Sequence, residues 1–269
     1  MIMIEFIIFL FVFLIVLFAI YIFVLARPNG KMPKKEKLLT DYAHRGLHGK
    51  NIPENSLAAF EKAVNEGIGI ELDVQLSSDG VVMVFHDYTL IRMTGCDKKL
   101  CELTADALQK LCLSETEEKI PTFEQVLALI DGKVPLLVEL KGESIDTSLC
   151  PKVAEILRKY SGDYCIESFN PIILKSIKKE LPDVFCGQLY TNVCRDKKKI
   201  TPLNIVLSLM AFNFLAKPEF IAYNQKDRNS FPVKLTTKLY KAPNFVWTLR
   251  GDEELKKARE LKEHPIFEK

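Results

Sequence analysis

Glu71 and Asp73 stand two residues apart in Ile70-Glu71-Leu72-Asp73-Val74. On an extended strand that spacing turns both carboxylates to one face and Ile70, Leu72 and Val74 to the other. Two like charges on one face repel unless a cation lies between them. Glu139 repeats the arrangement in Leu136-Leu137-Val138-Glu139-Leu140, near the end of another apolar run, with Lys141 two residues beyond it. Three carboxylates converging at strand ends are hard oxygen ligands of the kind that hold Mg²⁺ or Ca²⁺. The competing reading pairs each of them with a neighbouring Lys or Arg. His44-Arg45-Gly46 and His86-Asp87 also close strand-like runs. Imidazole titrates near neutrality and suits acid–base work. Guanidinium grips phosphate oxygens bidentately, and glycine permits a turn that brings backbone close to a ligand. Of the four histidines, His44 and His86 fall beside the acidic strands, whereas His48 and His264 read as surface residues.

The elements that must position these residues alternate between strand-like and helical patterns, which argues for a parallel α/β sheet. Strands are predicted over 41–45, 68–74, 134–141, 164–169, 184–190, 219–223, 245–249 and 265–268, with helices over 56–66, 122–130, 147–160, 172–180 and 252–263. Eight strands with intervening helices fit a (β/α)₈ TIM barrel better than an open sheet. Val81–Phe85 breaks the alternation, because it follows the second strand after only Ser77-Ser78-Asp79-Gly80. A turn that short demands an antiparallel return. If Ser78 and Asp79 centre it, His86 falls opposite Glu71. Residues 87–121 then form an inserted excursion, which belongs on the active-site face.

Phe6–Ala26 holds no charged residue and is almost wholly aliphatic or aromatic. At ~1.5 Å per residue it makes roughly 31 Å of helix, comparable with the ~30 Å core of a bilayer. A cleaved signal peptide would carry a basic start and a shorter apolar core, whereas only Glu5 precedes this run, so an uncleaved transmembrane anchor is expected. Arg27, Lys31, Lys34, Lys35 and Lys37 follow the run and no base precedes it. The positive-inside bias therefore puts the following domain in the cytoplasm of a single-pass membrane protein. The seven cysteines are scattered without CxxC pairs, as in a reduced compartment. The formal charge of +2 owes much to the juxtamembrane cluster, which can rest on anionic lipid head groups. No nucleic-acid partner is expected, and the oligomeric state is left open. The chain divides into an anchor (1–27), a basic juxtamembrane linker broken by Pro28, Gly30 and Pro33 (28–39), and the barrel (40–269).

Ala43-His44-Arg45-Gly46, Pro53-Glu54-Asn55-Ser56, Glu71-Leu72-Asp73-Val74, Asp79-Gly80 and Val84-Phe85-His86-Asp87 together resemble the signature run of the glycerophosphodiester phosphodiesterase family. Glu139-Leu140-Lys141, Ser168-Phe169 and Trp247-Thr248 continue the resemblance in the same order, from about Tyr42 to the end of the chain. It implies a divalent cation held by Glu71, Asp73 and Glu139, with His44 and His86 as the acid–base pair. It also implies Arg45 and Lys141 on the phosphate and Trp247 along the glycerol side of the pocket. The reaction implied is hydrolysis of glycerophosphodiesters to sn-glycerol 3-phosphate and an alcohol. The anchor also fits a relative acting on lipid, such as a lysophospholipase D-like or sphingomyelinase D-like enzyme. A silent, metal-stabilised binding module is disfavoured by the complete set of two histidines, three carboxylates and an arginine.

Two features depart from the family. Many members end on an Asp-Gly-Ile-Ile-Thr-like strand, whereas this chain ends His264-Pro265-Ile266-Phe267-Glu268-Lys269, so the eighth strand is expected to be short. Thr201–Ala216 is apolar all round and too short to span a bilayer. It reads either as a buried barrel helix or as an element that touches lipid.

Overall fold

The computed structural model describes residues 2–142 and 144–269. The strands are β1 (Tyr42–Ala43), β2 (Gly69–Leu76), β3 (Val82–Val84), β4 (Leu136–Leu140), β5 (Tyr164–Ser168), β6 (Cys186–Tyr190), β7 (Phe220–Asn224), β8 (Asn244–Arg250) and β9 (His264–Glu268). All pair in parallel with their neighbours except β3, a hairpin return on β2. β9 lies beside β1 and β1 beside β2, so eight parallel strands close a TIM barrel. The final strand is full length despite its departure from the family sequence, because Tyr42 and Ala43 find Ile266 and Phe267 as register partners.

Local chemistry sets the helices around it. The Ser56 hydroxyl accepts from the Ala59 amide and caps Leu57–Asn65, Thr122 and Gln125 form a capping box on Phe123–Ile130, and Asn170 caps Pro171–Glu180. The apolar faces of these helices meet the outward faces of the strands in one core that includes Phe60, Leu72, Phe123, Val138 and Ile166.

Inside the barrel the inward positions form layers. The floor layer is apolar: Tyr42, Leu137, Cys165, Phe185, Phe220 and Phe245, with Phe220 and Phe245 ring centroids 4.7 Å apart. Gly187 is required there, since a Cβ on it would lie 1.9 Å from the Phe220 ring. Two residues further along the same strands stand His44, Glu139, Glu167 and Trp247. Because side chains alternate along a strand, the floor residues fix which residues face the mouth.

The hairpin differs from the expected register by one residue. Its loop is Ser78-Asp79-Gly80, closed by the Ser77 amide donating to the Val81 carbonyl, with Gly80 at φ 78°. A three-residue loop with a left-handed glycine displaces the pairing relative to a two-residue turn. Val84 therefore pairs with Val74, and the Phe85 amide donates to the Asp73 carbonyl. The excursion that follows has a small core of its own, with Leu90, Met93, Leu100, Leu108 and Ile120 packed under Met83 and Phe85.

The N-terminal helix α1 (Ile2–Ile20) continues through a π-helical turn, Tyr21–Leu25. This 24-residue helix is long and apolar enough to cross a membrane, and none of its most apolar stretch is buried in the protein. The segment expected as a linker lies against the barrel floor. The Asn29 amide donates to the Pro218 carbonyl, Lys35 and Lys37 pair with Asp163, and Leu38 joins the floor layer. Thr201–Ala216 is not one buried helix. It breaks into Pro202–Ser208 and Asn213–Ala216, which bury Met210, Ala211 and Ala216 but leave Leu203, Ile205, Leu209 and Phe214 exposed. His48 and His264, expected at the surface, are half-buried, and the His264 ring lies 5.1 Å from that of Phe245.

Candidate active site

Glu71, Asp73 and Glu139 offer carboxylate oxygens that all lie within 4.8 Å of one another, and all three residues are buried. They come together because β2 and β4 are register neighbours, with Asp73 opposite Glu139. Lys141 reaches back to Glu139 Oε1 at 3.0 Å and Asp73 Oδ1 at 3.2 Å. The Arg45 guanidinium lies 3.6 Å from Asp73 Oδ2, its amide donates to Glu71 Oε2 at 2.8 Å, and its Nη1 donates to Glu54 Oε1 at 2.8 Å. Arg45 holds this position at φ 54°, a left-handed backbone that a side-chain-bearing residue adopts at a cost of about 1–3 kcal/mol. Gly46 follows at φ 79°, and a Cβ on it would lie 2.9 Å from that of Ala59, so strand and helix meet closely there.

The sequence assigns no part in the site to four residues that complete the arrangement; Asn55, a candidate N-cap alongside Ser56, leaves that role to Ser56. Asn55 donates to Asp73 Oδ2 at 2.9 Å, and Glu54 binds both Arg45 and Arg92. Glu167 is a fourth buried carboxylate, on β5 and in register with Glu139. Its signal was present, since it interrupts an apolar run at the same strand parity as Glu139. Glu268 on β9 lies 2.8 Å from His44 Nδ1, and nothing in a linear reading of the last strand announces a partner for the first.

The two histidines have parallel settings. His44 Nδ1 meets Glu268, and His86 Nδ1 meets Asp87 Oδ1 at 2.6 Å, with Asp87 held in turn by Arg92. Burial lowers both imidazoles below their usual value, and the charge of Asp73 raises each in opposition. Both rings therefore lie within the field of the carboxylate cluster. Lys141 and Arg45 are buried among the carboxylates, with Lys141 held above its usual value by Asp73 and Glu139 against the effect of burial. Trp247 is half-buried, donates to the Ala222 carbonyl at 3.2 Å, and meets Phe169 edge to face at 5.7 Å.

The electrostatics bear on whether a cation fits. Burial, then the neighbouring carboxylates Asp73 and Glu139, pushes Glu71 well above the usual carboxylate range. Burial and Asp73, opposed by Lys141, take Glu139 to about 7, and burial raises Glu167. Asp73 alone is held low: burial would raise it, but Lys141, His86 and Arg45 overcome that. Four buried carboxyl groups thus face two permanent cations, and burial opposes the ionisation of all but Asp73. Glu167 Oε2 is buried without a hydrogen bond, and Asp73 Oδ1 has only the Lys141 ammonium at 3.2 Å. Buried charge of that kind is costly unless paired or coordinated. An oxygen-rich cluster whose carboxyl groups outnumber its cations matches a hard divalent cation, which would favour their ionised forms.

The barrel, its acidic mouth and the paired histidines define a hydrolase-type site on a TIM barrel. Residues 44–268 match the glycerophosphoryl diester phosphodiesterase family. A glycerophosphodiester phosphodiesterase of Caldanaerobacter subterraneus subsp. tengcongensis is 33% identical over 229 residues, 80% of this chain and 87% of that protein. Human glycerophosphodiester phosphodiesterase 1 is 32% identical over 168 residues, 56% of this chain and 49% of that protein. Among solved structures, the glycerophosphodiester phosphodiesterase of Thermotoga maritima is 27% identical with a TM-score of 0.64, covering 85% of this chain and 94% of that one. The Oleispira antarctica phosphodiesterase, solved with the product sn-glycerol-3-phosphate, has a TM-score of 0.69 at 23% identity, covering 85% and 92%. The chain belongs to the glycerophosphoryl diester phosphodiesterase family, a family of phosphoric diester hydrolases.

Proposed function

We propose that this chain hydrolyses glycerophosphodiesters to sn-glycerol 3-phosphate and an alcohol, with His44 and His86 as the acid–base pair and a divalent cation, Mg²⁺ or Ca²⁺, on Glu71, Asp73 and Glu139. The observation that carries it is the pair of carboxylate-held imidazoles sharing the field of one acidic cluster. When bound, the cation would polarise a phosphoryl oxygen and offset the charge of the diester. Arg45 and Lys141, already anchored on carboxylates, add positive charge where the phosphate sits. One imidazole takes a proton from the nucleophile and the other gives one to the leaving alkoxide. Glu268 and Asp87 each fix an Nδ1, which directs the other ring nitrogen, Nε2, to the reacting atoms. Trp247 and Phe169 offer an apolar wall for the glycerol or its substituent.

In this reading residues 1–27 anchor the protein in the cell membrane, 28–39 join anchor to barrel, and 40–269 form the catalytic domain on the cytoplasmic side. The experiment that tests the function is turnover of glycerophosphocholine against lysophosphatidylcholine, each with and without EDTA. Release of sn-glycerol 3-phosphate from the former, lost in EDTA and restored by Mg²⁺ or Ca²⁺, is the expected result. Turnover unaffected by EDTA would remove the cation from the mechanism, and no turnover of either substrate would overturn the reading.

A further inference from the structure

The anchor helix is fastened to the barrel at several heights, and those contacts reveal which way the barrel faces. Near the floor, the Asn29 amide donates to the carbonyl of Pro218, just before β7, and Asn213 Nδ2 donates to the Ala26 carbonyl at 2.9 Å. Higher up, the Tyr240 hydroxyl donates to the Ile22 carbonyl at 2.9 Å, and the Tyr21 hydroxyl to the Leu209 carbonyl at 3.0 Å. At the top, Phe18 stacks on Phe231, which follows the C-terminal end of β7, at 6.1 Å between ring centroids. The helix therefore climbs the outside of the barrel from floor to mouth, and its free apolar part, Ile2–Leu17, continues beyond the mouth.

Several exposed apolar residues of the barrel lie at the same end, although Leu239 and Leu261, ahead of β8 and β9, are exposed on the floor side. Ile145 follows β4 and is 82% exposed, and Phe169 follows β5 at 41%. Ile200 and Leu203 follow β6 at 80% and 58%, and Phe231 follows β7 at 50%. The two segments that touch the anchor, 197–218 and 228–241, contain no Asp or Glu; Lys197, Lys198, Lys199, Lys234 and Lys238 lie in them, besides Arg228, which pairs with Glu263, and Lys217 and Lys241, which precede β7 and β8 on the floor side. Apolar side chains edged by bases and free of acids are what a surface needs to sit in the head-group layer of an anionic leaflet.

We infer that the mouth of the barrel is docked on the membrane leaflet that the anchor enters, with Phe231 and its neighbours in the lipid and the active site opening towards the head groups. This rests on the reading of Ile2–Leu25 as a membrane span. The 24 residues of that helix make roughly 36 Å at ~1.5 Å per residue, against a core of ~30 Å. Phe18 lies seven residues, about 10 Å, before the end of the helix. A core of that thickness takes in about 20 residues of the helix, so Phe18 lies just inside its edge with Phe231 held at the same level, while Ile22–Ala26 run along the barrel outside it. The bilayer is the occupant the geometry specifies, because no other surface is already threaded by this helix.

The test uses the full chain in nanodiscs that contain anionic lipid, with bromine placed on the acyl chains as a depth-selective quencher of tryptophan. In a Trp247→Phe background, which removes the single native tryptophan, one probe is introduced at a time: Phe18→Trp in the span, Phe231→Trp and Ile200→Trp at the mouth, and Leu261→Trp on the floor side before β9. Cooperative melting confirms the fold of each, and two mouth probes guard against the loss of one. The expected result is strong quenching of Phe18→Trp and of both mouth probes, with Leu261→Trp unaffected. If Phe18→Trp is quenched while the mouth probes match Leu261→Trp, the helix spans and the docking is wrong. If Phe18→Trp itself is unquenched, the span reading fails and the docking falls with it.

Discussion

Glu71→Gln separates the metal from the fold. The Glu71 carboxyl is buried beside Asp73 and Glu139 and pushed well above the usual range, so without a cation its surroundings favour the neutral form. Glutamine copies that neutral state, and its carbonyl oxygen still accepts from the Arg45 amide as Glu71 Oε2 does at 2.8 Å. The melting temperature in EDTA should therefore match the parent or exceed it slightly. With a cation the two part company. At one hundred times its dissociation constant a ligand stabilises by about 2.7 kcal/mol, which for a domain of this size is roughly 5–11 °C. If losing one of three carboxylate ligands weakens binding ~100-fold, the same concentration leaves about 0.4 kcal/mol, roughly 1–2 °C. The assay is thermal unfolding of the full chain in detergent, in EDTA and across a Mg²⁺ or Ca²⁺ titration. A parent whose melting ignores both cations, or a variant that gains as much as the parent, would refute the assignment of Glu71 as a ligand. A variant that unfolds early in EDTA would refute the claim that the carboxyl is neutral there.

Four further outcomes follow from the same geometry. His44→Ala and His86→Ala should each lower turnover by ~10²–10⁴-fold while keeping the cation-induced rise in melting temperature; near-normal turnover in either removes that residue from the chemistry. Cation affinity, read by calorimetry, should rise with pH through about 7, where the buried Glu139 gives up its proton; the sign follows because the cation competes with that proton, so a flat profile contradicts it. Gly46→Ala should cost at least about 1–3 kcal/mol in urea unfolding, since it puts a Cβ at φ 79° against Ala59; a neutral effect would mean that the turn relaxes freely. Protease added to intact cells should leave the barrel uncut until the membrane is permeabilised, and digestion from outside would reverse the cytoplasmic assignment.

Much of this site was legible in the chain because strand alternation is a strong constraint. Once Ile70, Leu72 and Val74 are assigned outward, Glu71 and Asp73 have no choice but to face the interior, and the same holds for Glu139. What alternation alone misses is register between strands far apart in sequence. Glu167 becomes part of the acidic layer only because β5 sets it beside Glu139, and Glu268 reaches His44 only because β9 closes on β1. The hairpin register slipped for a local reason: whether Gly80 lies inside the loop or after it changes the pairing by one residue, and both versions use the same residues. The sequence leaves Thr201–Ala216 open between a buried helix and a lipid-touching element, because hydrophobicity all round does not distinguish protein from lipid as the covering medium. Its break at Leu209–Phe212 and its exposed side chains appear only in three dimensions.

The closure of the barrel has a consequence for the order in which the protein is made. β1 contributes only Tyr42 and Ala43 to the sheet, and it is flanked by β2 and by β9, which is made after all the other barrel strands. Until β9 arrives, the nascent sheet has an unpaired edge along β1, and long-range pairing of this kind is slow to form. Throughout that interval His44, on the open seam, lacks its glutamate. On the proposed mechanism, catalysis therefore waits for closure of the β1–β9 seam, which completes the His44–Glu268 pair.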